Sequence, residues 1–291
     1  MTAVPGDSNR LDLADGRTLH YRTAGTGSPT VVLEAGMGSS LASWSAVVPG
    51  IAGSTTAVAY DRAGYGQSDP DPQPRTIDRM ADDLVALLEH LDDDRFVLVA
   101  HSWGGPIIRT ALARRPDLVV GAVLVDPSDE DMELFHTASA ARQRRWMVKL
   151  LPTMQRLGLM KMGVKAATKG LPADVVAEML VSETTPEHAG EMAAELAAFD
   201  GDVERLRAHP LPIPDAPVTI ITGVKQTKKL MPGTGDAARQ AVLVANERRA
   251  ASYPRGRHVS AFGSTHYVPF TEPELVVAET LALVDDARSD G

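Results

Sequence analysis

The stretch Phe96-Val97-Leu98-Val99-Ala100-His101-Ser102-Trp103-Gly104-Gly105 decides the reading of this chain. An apolar run stops at a serine, and two glycines then open a helix-like segment. That pattern fits a buried strand turning sharply into a helix, with the serine hydroxyl exposed on the turn. The turn is strained, so the residues two positions either side of the serine must be small. They are Ala100 and Gly104.

The surrounding chain alternates short apolar runs with longer helical patterns. Thr18 to Thr23, Val31 to Glu34, Thr56 to Tyr60, Ala122 to Val125, Val218 to Thr222 and His258 to Ala261 read as strands. Leu84, Leu87, Leu88 and Leu91 recur at helical spacing within Met80 to Leu91, and Pro106 to Arg114 and Glu272 to Val284 also read as helices. Strands that are apolar throughout, separated by helices, predict an α/β fold with a mostly parallel sheet covered on both faces. The rhythm breaks between Pro127 and Pro217. That segment has helical Leu and Ala and many methionines, and Pro210, Pro212, Pro214 and Pro217 close it as a stiff return linker. The expected organisation is a core of residues 1–126 and 217–291 with a helical insertion at 127–216. Methionine is adaptable, so Met147, Met154 and Met160 are candidates for lining an apolar pocket.

Composition narrows the classes. Hydrophobic residues make up 44% of the 291 and charged residues 23%, as in ordinary globular proteins. A net charge of −9 argues against nucleic acid or an anionic membrane as a partner, since both need basic patches. No cysteine is present, which removes disulfides, thiolate nucleophiles and cysteine-ligated metals. The start of the sequence has no basic segment followed by an apolar one, and no apolar run approaches the roughly 18 residues of a membrane span. A cytoplasmic protein without cofactor or metal is the expectation. Oligomeric state is not legible.

A serine hydroxyl needs a base to act as a nucleophile at neutral pH. Among eight histidines, His266 follows the last short strand and precedes the C-terminal helix. In a parallel sheet it would share an edge with Ser102. His101 adjoins Ser102 and is expected to point elsewhere. The base needs an acid to fix its tautomer. Asp126 stands at the end of the Ala122 to Val125 strand, with Asp129 and Asp131 as near alternates and Asp236 as a distant one. Backbone N–H groups must face the developing oxyanion. Trp103 supplies one, and Met37 in the loop Ala35-Gly36-Met37-Gly38-Ser39-Ser40 the other. That loop lacks the third glycine of a dinucleotide fingerprint and the Gly-Lys-Ser/Thr of a P-loop.

With these motifs in order, the chain resembles the α/β-hydrolase family. Ala100-His101-Ser102-Trp103-Gly104-Gly105 is similar to its G-H-S-x-G-G elbow. Tyr60-Asp61-Arg62-Ala63-Gly64-Tyr65-Gly66-Gln67-Ser68 is similar to its D-x-R-G-x-G-x-S loop, and Thr265-His266-Tyr267-Val268-Pro269 to its histidine loop. Glu34-Ala35 replaces the family's His-Gly pair. The resemblance implies the order Ser102, Asp126, His266, with the acid in the less common of two positions, and a cap formed by the insertion. It implies cleavage of an ester or lactone of a small, largely apolar molecule through an acyl-enzyme. Amide, C–C bond or peracid chemistry would use the same groups. A non-catalytic ligand-binding protein on the same fold is the alternative from another class. The dehalogenase and epoxide-hydrolase branches use a carboxylate nucleophile where this chain has serine.

Overall fold

The apolar run ending at Ser102 is a central strand of an eight-stranded sheet. The structure is a computed structural model, and it describes residues 4–226 and 235–289. The strands are β1 (Asp7–Asp12), β2 (Thr18–Ala24), β3 (Thr30–Glu34), β4 (Ala57–Tyr60), β5 (Phe96–His101), β6 (Val119–Val125), β7 (Val218–Gly223) and β8 (Gly256–Ala261). Their spatial order is β1-β2-β4-β3-β5-β6-β7-β8. β2 pairs antiparallel with β1 and β4, and every other pair is parallel.

Alternation along β5 explains why the strand is apolar throughout. Phe96, Leu98 and Ala100 pack on one face, against α2 (Ile77–His90) and α3 (Gly104–Arg114). Val97 and Val99 pack on the other, against α1 (Val48–Ala52) and α10 (Pro273–Ser289). Leu84, Leu87 and Leu88 are the buried stripe of α2, and the Thr76 hydroxyl caps its N-terminus by accepting the Arg79 N–H at 3.2 Å.

Between β6 and β7 every element is helical. A short 3₁₀ turn at Glu133–His136 leads into α4 (Ala138–Arg156), α5 (Leu159–Ala167), α6 (Ala173–Ser182) and α7 (Pro186–Ala208). α7 begins with Thr185 as its N-cap and Pro186 in its first turn, where proline loses no hydrogen bond. It returns toward the sheet and buries Phe199, Val203 and Leu206 in the core. The remaining helices are α8 (Asp236–Ala251) and the short α9 (Val268–Thr271).

β1, α1, α8 and α9 are not among the elements expected from the sequence. β1 is a polar edge strand in which only Leu11 is buried. α8 buries only Asn246 and Ala250, so it carries no apolar stripe to read. In addition, α3 starts at Gly104 and β6 at Val119, each earlier than the apolar pattern alone indicates.

Candidate active site

Two adjacent strand ends carry the same backbone strain. Ser102 (φ 54°) and Asp126 (φ 44°) are the only non-glycine residues with positive φ among the described residues. Such conformations cost on the order of 1–3 kcal/mol and persist only where surrounding contacts hold them. Here the Ser102 N–H donates to the Val125 carbonyl at 3.0 Å, and the Ser128 N–H donates to the Ser102 carbonyl at 3.0 Å. The Asp126 N–H donates to the Ile221 carbonyl at 2.6 Å. The turns after β5 and β6 thereby fix each other.

His266 lies in the loop between β8 and α9. Its Nδ1 hydrogen-bonds Asp126 Oδ2 at 2.6 Å. The imidazole is 42% exposed, whereas the Asp126 side chain is buried. Burial alone would raise the Asp126 carboxyl, but the hydrogen bond and charge of His266, and then Arg239, hold it below the usual carboxylate range. Asp126 is therefore ionised at neutral pH. Asp129 instead binds Arg249 (2.5 Å), as does Asp131 (3.2 Å). Part of the acid-free stretch after β7 lies outside the described residues.

His101 turns to the His266 loop. Its Nε2 donates to the His266 carbonyl at 2.8 Å, and the two rings lie 4.7 Å apart. Burial, followed by the neighbouring His266, lowers its pKa to about 3, so the ring is neutral and acts as a prop for the His266 loop. Ser102 Oγ has no hydrogen-bond partner among the described residues. A nucleophile–base contact that is loose without substrate is common in such sites.

Neither the Met37 nor the Trp103 N–H has an acceptor among the described residues. A Cβ on Gly36 would stand 3.3 Å from Ser102 Cβ, and one on Gly104 would stand 2.8 Å from the Ala35 carbonyl oxygen. Glycine at both positions lets the loop after β3 lie against the serine turn. Two helical-insertion residues roof this junction. Phe199 stacks on Trp103 at 4.4 Å, and Met192 lies over Gly38. Met147, Met154 and Met160 are half-buried, and Met162 is exposed.

Residues 29–152 match the family described as alpha/beta hydrolase fold. The chain has the α/β-hydrolase fold. It is 29% identical over 246 residues to a haloalkane dehalogenase of Mesorhizobium japonicum, covering 82% of this chain and 70% of that protein. Two solved structures are similar. An epoxide hydrolase, CorEH, superposes with a TM-score of 0.70 at 20% identity, covering 97% and 99% of the two chains. An esterase from Thermogutta terrifontis superposes at 0.71 and 18%, with the same coverage.

The chain carries two features that the sequence reading missed. The first is a buried ionic network beneath the loop after β3. Arg62 donates to the Ala35 and Gly36 carbonyls, the latter at 2.8 Å, and to Glu34. It also donates to Glu195 of α7 at 3.1 Å, and Arg75 reaches the same carboxylate at 2.7 Å. Tyr60 donates to Glu34. Burial pushes Glu34 up, and Arg62 and Tyr60 oppose that rise. Burial would also raise Glu195, but Arg62 and Arg75 carry it below its ordinary value. The network orients the carbonyls of the loop and ties it to α7. Breaking such a group from one side costs about 3–5 kcal/mol. Ser40, in the same loop, donates its N–H and hydroxyl to Glu183 at the end of α6, both at 2.9 Å. Burial raises that carboxyl to about 7.

The second missed feature is Arg239 of α8, which grips Asp126 with both nitrogens at 2.9 and 2.7 Å. The two bonds hold the carboxylate in the orientation that meets His266. Arg239→Gln should therefore lower kcat/KM, and Arg239→Lys should stay closer to the parent. An unchanged kcat/KM in the glutamine variant would mean that the arginine only holds α8 in place.

Proposed function

We propose that this chain is a serine hydrolase cleaving a carboxylic ester or lactone of a small, largely apolar molecule. The observation that carries the reading is the 2.6 Å bond between Asp126 and His266 beside a serine at positive φ. In this mechanism Ser102 Oγ attacks the acyl carbon as His266 Nε2 takes its proton. Asp126, ionised and bonded to Nδ1, fixes the tautomer and stabilises the imidazolium. The Met37 and Trp103 N–H groups hold the oxyanion. His266 returns the proton to the leaving alcohol, and water resolves the acyl-enzyme by the same route. Residues 127–216 act as a cap over a core of residues 1–126 and 217–291, with Phe199 and Met192 offering apolar contact to the acyl or alcohol part.

A panel of acyl esters and lactones of graded chain length, assayed beside a haloalkane and an epoxide, tests this reading. Turnover of esters or lactones alone is expected, because the elbow supplies a hydroxyl and not a carboxylate. Turnover confined to the haloalkane or epoxide would overturn it.

A further inference from the structure

Charge on this chain is segregated. Between Ala138 and Ala173 the sequence contains eight Lys and Arg and not one Asp or Glu, although the whole chain carries −9. The segment forms α4 and α5 and the turns that follow them. Arg144 pairs with Asp200 of α7 at 2.7 Å. Among the described residues, the other seven cations of the segment have no acidic partner.

The same surface exposes large apolar side chains. Trp146, Leu150, Leu157, Leu159 and Met162 are each between 42% and 69% exposed. Trp146 and Leu150 are four residues apart and share a face of α4 with Arg142, while Lys149 lies 5.9 Å from the Trp146 ring centroid. A groove of about 400 Å³ between α4 and α7 is lined by Arg142, Arg145, Trp146 and Lys149, with Asp200 on its opposite side. Asp200 is already engaged by Arg144, so the groove presents net positive charge around an aromatic ring.

We propose that the outer face of α4 and α5 docks on an anionic lipid surface. Cations beside exposed Trp, Leu and Met match an interface with anionic headgroups above acyl chains. A nucleic acid would use the cations but leave the leucines and Met162 in water. The basic groove would take a headgroup while Trp146 and Leu150 enter the acyl boundary. The helices lie in the plane of the interface, and no helix of the described residues is long and apolar enough to cross a membrane.

Intrinsic fluorescence gives a direct readout. The chain has three tryptophans, and Trp44 and Trp103 are buried at 0% and 2% exposure. A blue shift on mixing with vesicles therefore reports Trp146. The full chain should shift and co-sediment with vesicles of phosphatidylglycerol and phosphatidylcholine in equal parts. It should do neither with pure phosphatidylcholine, and added salt should release it. Arg145→Gln with Lys149→Gln should weaken partitioning about tenfold or more. Trp146→Phe should lose the shift but still sediment. All these variants should hydrolyse a water-soluble ester as the parent does, since none touches the candidate site. Failure to bind the anionic vesicles, equal binding to both compositions, or binding to DNA but not to vesicles would each overturn the proposal.

Discussion

Ser102→Ala is expected to abolish hydrolysis while the protein keeps its fold. The expected loss in kcat is on the order of 10⁶-fold, the scale on which serine proteases respond to removal of the nucleophile. The side chain is half-buried on a strained turn, and its hydroxyl has no partner among the described residues that alanine would leave unpaired. Stability should change by little, because the backbone bonds from Val125 and Ser128 hold the turn without the hydroxyl. The measurement is steady-state turnover together with thermal unfolding of both forms. Activity above about a tenth of the parent would remove Ser102 from the mechanism.

Asp126→Asn should lower turnover by roughly 10⁴-fold, as the same exchange does in the serine-protease precedent. An amide can present its NH₂ to His266 Nδ1 and so favour the wrong tautomer. It also cannot stabilise the imidazolium that forms when Ser102 is deprotonated. Asp236→Asn should be nearly silent, because His266 Nδ1 is already bonded to Asp126. Loss of activity in the Asp236 variant with retention in the Asp126 variant would reverse the assignment.

The strand–helix alternation made the fold legible because each buried strand is apolar on both faces. β1 and α8 escaped for the opposite reason. One is a polar edge strand, and the other is a helix lying on the sheet with few buried side chains. Ser102 was legible from local chemistry, since only small neighbours suit such a turn. His266 and Asp126 were legible as residues at strand ends.

What the chain does with Glu34, Arg62, Glu195 and Arg239 could not be read. Their contacts span separations such as 133 residues between Arg62 and Glu195 and 113 between Arg239 and Asp126. Spacing along the chain carries no signal at that range. The net charge was read as an average, which conceals the acid-free stretch on α4 and α5.

The central claim is that Ser102 is a nucleophile activated by His266 and Asp126. Labelling with a fluorophosphonate, followed by mass spectrometry of the intact protein and its peptides, tests it most directly. One adduct per chain is expected, on the peptide containing Ser102, with none on Ser102→Ala and a much slower reaction in Asp126→Asn. No adduct, or an adduct on another residue with Ser102 unmodified, would contradict it.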